Sequence, residues 1–135
     1  MRLRKWVLPA LIMLACGACN REKSTDELVA DLKSNQEREQ TVAVRLLPRR
    51  KGDAAKVVPA LIEALGAKSD NVRQGAAIGL GSYGEQAKDA IPALQKLRDD
   101  PDVRVREAVG VALNRIDPAN FPDPHQPRPP SAPGN

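Results

Sequence analysis

"PALIEALGAKSDNVRQGAAIGL" (residues 59–80) and "PALQKLRDDPDVRVREAVGVAL" (residues 92–113) align without a gap at an offset of 33. Pro59-Ala60-Leu61 falls on Pro92-Ala93-Leu94, Val72-Arg73 on Val105-Arg106, and Leu80 on Leu113. A further step of 33 toward the N-terminus reaches "ELVADL" (27–32). It sets Leu28 under Leu61, Leu32 under Leu65, Ala43 under Ala76 and Leu47 under Leu80. A period of this length over three units marks a stacked repeat, in which no unit buries its apolar face alone and each is completed by its neighbour.

Each unit reads as two helices. In the first, Ser24 and Glu27 have capping-box spacing, and Leu28, Val29 and Leu32 supply an apolar stripe. Its second helix covers about 36–47 and ends at Pro48 and Gly52. The second unit has a first helix over about 57–65, with Pro59 in the first turn and Gly66 as the stop. Asp70 then precedes a helix over 71–83, closed by Gly84. The third repeats this over about 90–98 and 102–116, stopped by Asp117-Pro118. The reading is all-α: an α-solenoid of three helical hairpins at 24–52, 53–84 and 85–117. Beyond residue 23 the only aromatics are Tyr83 and Phe121, so the core must be aliphatic. Gly75, Gly79 and Gly81 weaken a helix by up to ~1 kcal/mol each relative to Ala. Either they admit a neighbouring helix closely or the middle unit is soft.

The T-P-L-H turn of ankyrin units is absent, and so are the placed aromatics of tetratricopeptide units. The pattern V-P-A-L…V-R…A…L instead resembles short HEAT-like repeats, of the kind also seen in phycobilisome-lyase-type HEAT proteins. The resemblance covers 57–117 well and 24–52 weakly. The family's D-x-x-V-R step is partial here, in Ser69-Asp70-Asn71-Val72-Arg73 and Asp102-Val103-Arg104-Val105-Arg106. The resemblance implies that such acids and arginines form a ladder between repeats. Asp70, Arg73, Asp102 and Arg106 are therefore expected to be scaffold rather than ligand contacts.

The N-terminus carries a different message. Arg2, Arg4 and Lys5 form a basic head, and Trp6–Ala15 is an apolar run too short to span a bilayer, the layout of a secretory signal. Cys16 and Cys19 are the only cysteines. A redox C-x-x-C needs a preceding strand, and a zinc site needs four ligands, whereas the only histidine, His125, is distant in sequence. Ile12-Met13-Leu14-Ala15-Cys16 resembles the lipobox of bacterial lipoproteins. That resemblance implies cleavage of 1–15, lipid attachment at Cys16 (Cys19 being the alternative) and a tether over 16–23. Gly17 stands where the family's inner-membrane retention rule places Asp, which implies the periplasmic face of an outer membrane. An ordinary cleaved signal is the competing reading.

The chain's formal charge of +4 includes Arg2, Arg4 and Lys5; between Asp26 and Asp117, fifteen basic side chains face fifteen acidic ones. A nucleic-acid binder needs a basic face to release counterions, so nucleic acid is not an expected partner. Arg49-Arg50-Lys51 is one small basic cluster, a solvated loop or a contact with anionic head groups. There is no HExxH, no Cys-His set and no Gly-x-Ser-x-Gly, so the expectation is no enzyme, no cofactor and no metal.

What remains is a surface. The core side of the second helices is expected to be Val72, Ala76, Leu80 and Tyr83, then Val105, Val109, Leu113 and Ile116. The opposite side gives three rows: Thr41, Gln74, Glu107; Arg45, Ile78, Val111; Arg49, Ser82, Arg115. Ile78 and Val111 are apolar where solvent is expected, and with Gln74, Glu107 and Arg115 they form the candidate protein-binding site. The segment 118–135 holds seven prolines in eighteen residues, without periodicity, and reads as disordered or polyproline II, with Phe121 placed to lid the last helix. The functional expectation is a lipid-anchored HEAT-repeat scaffold at the bacterial envelope, binding a protein partner. The rivals are a self-associating assembly component and an accessory subunit of a lyase-type enzyme.

Overall fold

The computed structural model describes residues 22–125. Residues 1–15, expected to be a signal sequence, Cys16, Cys19 and the last ten residues lie outside them. The described residues form six α-helices and no strand: α1 (Thr25–Leu32), α2 (Glu37–Leu46), α3 (Ala54–Ala64), α4 (Asp70–Tyr83), α5 (Ile91–Lys96) and α6 (Val103–Ile116). Short 3₁₀ turns lie at Leu47–Arg49, Lys51–Asp53, Gly84–Ala90 and Leu97–Asp99. The pairs α1/α2, α3/α4 and α5/α6 are the three hairpins. The second helices α2, α4 and α6 pack side by side as one layer, and α1, α3 and the 84–90/α5 segment form the other. None of the described helices is long and apolar enough to cross a membrane.

Local chemistry explains most of the boundaries. Ser24 caps α1: its hydroxyl accepts from Glu27 N–H at 3.3 Å, and the Glu27 carboxylate accepts from Ser24 N–H at 2.7 Å. Asp102 caps α6, accepting from Arg104 N–H at 2.8 Å and Val105 N–H at 3.3 Å. Gly84, at φ +56°, closes α4 in a conformation that L side chains resist, and it is the one described residue there. Three expectations need correction. Asp70 is the first residue of α4 rather than its predecessor, and Ser69, at the N-cap, donates instead to Glu37 Oε1 at 2.6 Å, joining two repeats. Gly66 has no left-handed φ; α3 ends in a turn closed by Leu65 N–H. Pro59 lies inside α3 rather than in its first turn. The hairpin needs Val57 and Val58 buried, so the helix starts before them, and the carbonyl that Pro59 cannot serve belongs to exposed Ala55.

The core is columns of repeat-related side chains. Leu28, Leu61 and Leu94 form one column and Leu47, Leu80 and Leu113 another, each residue no more than 1% exposed. All eight residues expected on the core side of α4 and α6 are buried. Tyr83 is tied down as well, its hydroxyl shared between Leu47 O at 3.2 Å and Arg50 O at 3.1 Å.

The glycines resolve in favour of close approach. A Cβ on Gly75 would lie 2.6 Å from Val44 Cγ1, one on Gly79 2.9 Å from Pro48 Cγ, and one on Gly81 3.0 Å from Ala112 Cα. The repeat position that faces the preceding unit is thus Gly75/Gly79 in the second unit and Ala108/Ala112 in the third. In the first unit it is Val42/Leu46, with Val42 45% exposed. Among the described residues no second helix packs on that position, and α1 is the first helix. At the other end, Arg98 occupies the place of buried Leu65 and is exposed. Residues 118–125 turn back over α6: Asn114 Nδ2 donates to Phe121 O at 2.8 Å, and Phe121 is half-buried against the core, the lid expected of it. Polar substitution and a covering strap are how a solenoid end is kept soluble.

Candidate protein-interaction groove

The five residues singled out from the repeat register, Gln74, Ile78, Glu107, Val111 and Arg115, all line one groove between α4 and α6, of about 290 Å³. Helical periodicity puts them there: Gln74 and Ile78 are four apart on α4, as are Glu107 and Val111, and Val111 and Arg115, on α6. The floor is made of small residues, Gly81, Ala108 and Ala112, over which the helices meet. Ile78 is 52% exposed and Val111 half-buried. Arg104 and His125 complete the walls. Sequence reasoning missed both. The 33-residue register could have flagged Arg104, one turn before Glu107 and Ala108; nothing local could have flagged His125, which the strap carries in.

The rows do not run on across the first unit, as the sequence suggested. Thr41, Arg45 and Arg49 lie outside the groove, because Gly75 lets α2 settle onto α4 against Val44 and Gly79 admits Pro48 of the turn that follows, closing the space there. Ser82 also faces elsewhere; its carbonyl and hydroxyl accept from Lys51 Nζ at 2.5 and 2.9 Å. The electrostatics of the groove are near balance. Arg104 is held by Asp70 at 2.6 Å and Asp102 at 3.0 Å, and these contacts hold the Asp102 carboxyl below the ordinary carboxylate range, Arg104's hydrogen bond being the main cause. Glu107 and Arg115 make no ion pair among the described residues and are opposite in sign.

The ladder implied by the resemblance is present, with a different acid at its centre. Arg73 makes a two-point ion pair with Asp100, Nε–Oδ2 2.8 Å and Nη2–Oδ1 3.0 Å, and its Nη1 donates to Ala67 O and Lys68 O. Asp100 is only 6% exposed, the one buried charged residue among those described. Arg73's hydrogen bonds lower its pKa more than burial raises it. One unit on, Arg106 Nη1 donates to Asp100 O and Pro101 O; one unit back, Gln40 Nε2 donates to Leu32 O and Ser34 O. Arg73 and Arg106 thus make the same brace and Gln40 shares one of its two carbonyls, but only Arg73 meets an acid from the next unit, since the residue in Asp100's place one unit back is Ala67. Asp70 and Asp102 join the ladder through Arg104, whereas Arg106 braces only its own unit rather than linking two. Among the described residues no group of three or more His, Cys, Asp or Glu is placed to hold a metal.

A run of paired helices stacked at a fixed period, with a groove between the last two second helices, defines an α-solenoid of short repeats. The family of HEAT repeats matches residues 25–114, two thirds of the chain, and the protein belongs to it. Among solved structures, the chain is similar to the complex of CpcE and CpcF of phycocyanin lyase from Nostoc sp. PCC7120, with 26% identity and a TM-score of 0.64. The match covers 74% of this chain and 40% of that one, so this chain spans less than half of that chain's length. Nothing among curated proteins matches.

Proposed function

We propose that the protein is a non-catalytic docking module, held at a bacterial envelope by lipid on Cys16, and that the α4/α6 groove is its docking surface. The observation that carries the reading is Ile78: a large aliphatic, half exposed, set in a concavity between two helices locked by small-residue contacts. Such a residue supplies the apolar anchor of an interface, and Glu107, Arg115 and Gln74 supply its polar rim. HEAT-repeat membership supports a protein partner, as does likeness to a two-subunit complex. Ile78→Asp is expected to abolish capture of an envelope partner by crosslinking in intact cells, while helicity and melting stay near wild type. Adding Val111→Asp deepens the loss but tests folding too, because Val111 is half-buried. Unchanged capture by folded Ile78→Asp would remove the groove from the interface, and capture of further copies of this chain alone would favour self-assembly.

The anchor makes its own prediction. Two or three acyl chains hold a protein to a bilayer far more durably than one, at about 0.8 kcal/mol per buried methylene. Cys16→Ser is expected to eliminate incorporation of labelled palmitate and release the protein from the membrane fraction. Persistent labelling would move the site to Cys19. In this reading the protein faces the periplasm from the outer membrane. The similarity to a lyase complex favours one second reading, an accessory subunit of a lyase-type enzyme. It predicts a bound chromophore on purification, and a colourless protein would count against it.

A further inference from the structure

The first unit carries a helix face that no neighbour uses. On α6, the side turned toward the groove holds Arg104, Ala108, Val111 and Arg115. Two repeats back, the same register gives Arg38, Val42, Arg45 and Arg49, and among the described residues no second helix lies beyond α2 to cover them. At 3.6 residues per turn, Arg38, Val42 and Arg45 fall within about 60° of arc on α2. Arg49 follows in the 3₁₀ turn that continues the helix. All four are exposed, Val42 at 45%.

The three arginines are also unspent. Arg104 is held by two aspartates, whereas the guanidinium groups of Arg38, Arg45 and Arg49 make no hydrogen bond or ion pair among the described residues. The acids of the unit are drawn elsewhere: Glu37 accepts from Ser69, Asp31 from Lys23 and Asp26 from Lys56. Glu39 acts on Lys23 and stands about 100° round the helix from Arg38. The sequence cluster Arg49-Arg50-Lys51 is thereby divided. Lys51 is turned to Ser82 and lies 4.2 Å from the Tyr83 ring centre, and Arg50 donates to Lys23 O at 3.0 Å. Arg49 alone of the cluster joins the face on α2.

The Arg50 contact also fixes where the described chain starts. Arg50 Nη2 lies 3.7 Å from Glu22 Oε2, so residues 22 and 23 sit at the C-terminal end of α2, beside Arg49. Cys16 is six residues before Glu22, about 20 Å of fully extended chain at most. A lipid on Cys16 would therefore keep this end of α2 within about 20 Å of the bilayer surface.

We infer that the α2 face of Arg38, Val42, Arg45 and Arg49 is the membrane-apposed surface of the domain and takes anionic phospholipid head groups. Guanidinium forks match phosphate oxygens in geometry as well as charge, and Val42 gives the centre of the face an apolar contact. Each arginine near an anionic surface strengthens association about fivefold. The stack then stands on its first unit, and the α4/α6 groove on the far side of α4 is left open to a partner. The nearness of the bilayer rests on the anchor reading; the affinity of the face for anionic lipid does not, and the two fail separately.

Benzoylphenylalanine at Val42 reads the contact directly. The lipid-bearing protein is reconstituted into vesicles of phosphatidylcholine, alone or mixed with phosphatidylglycerol, and phospholipid adducts are measured by mass spectrometry. The expected result is at least about fivefold more adduct on the anionic vesicles. That excess should shrink in about 1 M salt, where the screening length falls to about 3 Å. It should vanish when Arg38→Gln, Arg45→Gln and Arg49→Gln are combined, with helicity unchanged because all three are exposed. At Val103, 54% exposed on α6, the yield is expected to be the same on both vesicles. Equal yields at position 42 on the two vesicles, an excess that survives in the triple variant, or adducts to further protein chains in place of lipid would overturn the inference. Flotation on phosphatidylcholine alone tests the anchor by itself. Protein that floats there without the anionic excess keeps the anchor and loses the arginine face; protein that shows the excess but does not float there keeps the face and retires the anchor.

Discussion

Arg73→Ala is expected to destabilise the domain by about 3–5 kcal/mol, the usual cost of removing one partner from a buried ion pair. Asp100 would be left nearly buried without its guanidinium, and the carbonyls of Ala67 and Lys68 would lose their donor. A domain of this size has on the order of 5–14 kcal/mol in total, so the variant should sit near its unfolding transition at moderate temperature. Urea unfolding followed by circular dichroism measures it; a loss under about 1 kcal/mol would show that the pair is not the tie between the second and third units. The pH dependence has a definite sign. Asp100's carboxyl is held below its ordinary value, chiefly by Arg73, so the pair's contribution is fully present above about pH 4 and is lost as pH falls through the lowered folded value. In Arg73→Ala, protonating Asp100 relieves an unpaired charge instead. The stability gap between the two proteins should narrow below about pH 4. It should not close, because the two carbonyls remain without their donor.

Gly75→Ala should lower stability even though it puts a better helix former in the middle of a helix. The new Cβ would lie 2.6 Å from Val44 Cγ1 and 3.3 Å from Cγ2, and Val44 is 1% exposed and stiff at χ1. Overpacking of this kind costs about 1–3 kcal/mol, more than the roughly 1 kcal/mol that replacing Gly returns. With Val44→Ala as background, the methyl at 75 instead fills vacated space, and the same substitution should stabilise by up to about 1 kcal/mol. The double-mutant cycle is thus expected to give a coupling equal to the overpacking cost, about 1–3 kcal/mol, measured by chemical unfolding. Additive effects would mean that α2 and α4 are not locked through this contact.

Much of this structure can be read from the chain, and the reasons are particular. The leucine columns repeat at a fixed offset because each unit must present the same face to its neighbour, so Leu61 identifies Leu28 and Leu94. Ser24 and Glu27 make a local cap whose partners are three residues apart, and local partners are legible. The five groove residues could be named because register plus helical period is enough to place a side chain on a face. Asp100 is different. Its position in the repeat is Ser34 and Ala67 in the other units, so periodicity conceals it, and its importance exists only because Arg73 from the preceding unit arrives beside it.

Sequence alone determined the repeat length, the number of units, the aliphatic columns of the core and the face on which Ile78 and Val111 stand. Periodicity encodes all of these, and period is a property of the chain. Tertiary structure decided where the helices approach closely enough to close a groove and where they leave one open. Gly75 lets α2 onto α4 and Gly79 admits Pro48 of the turn after α2, which shuts the first junction, whereas Gly81 lets α4 meet α6 at one end and leaves a groove above. A glycine in a sequence is permission for close contact; whether the contact forms depends on the side chain opposite, which for Gly75 is Val44, 31 residues away. The arrival of His125 in that groove was likewise a matter of chain path, set by Asn114 holding Phe121 and by Gly110 leaving room for Pro124.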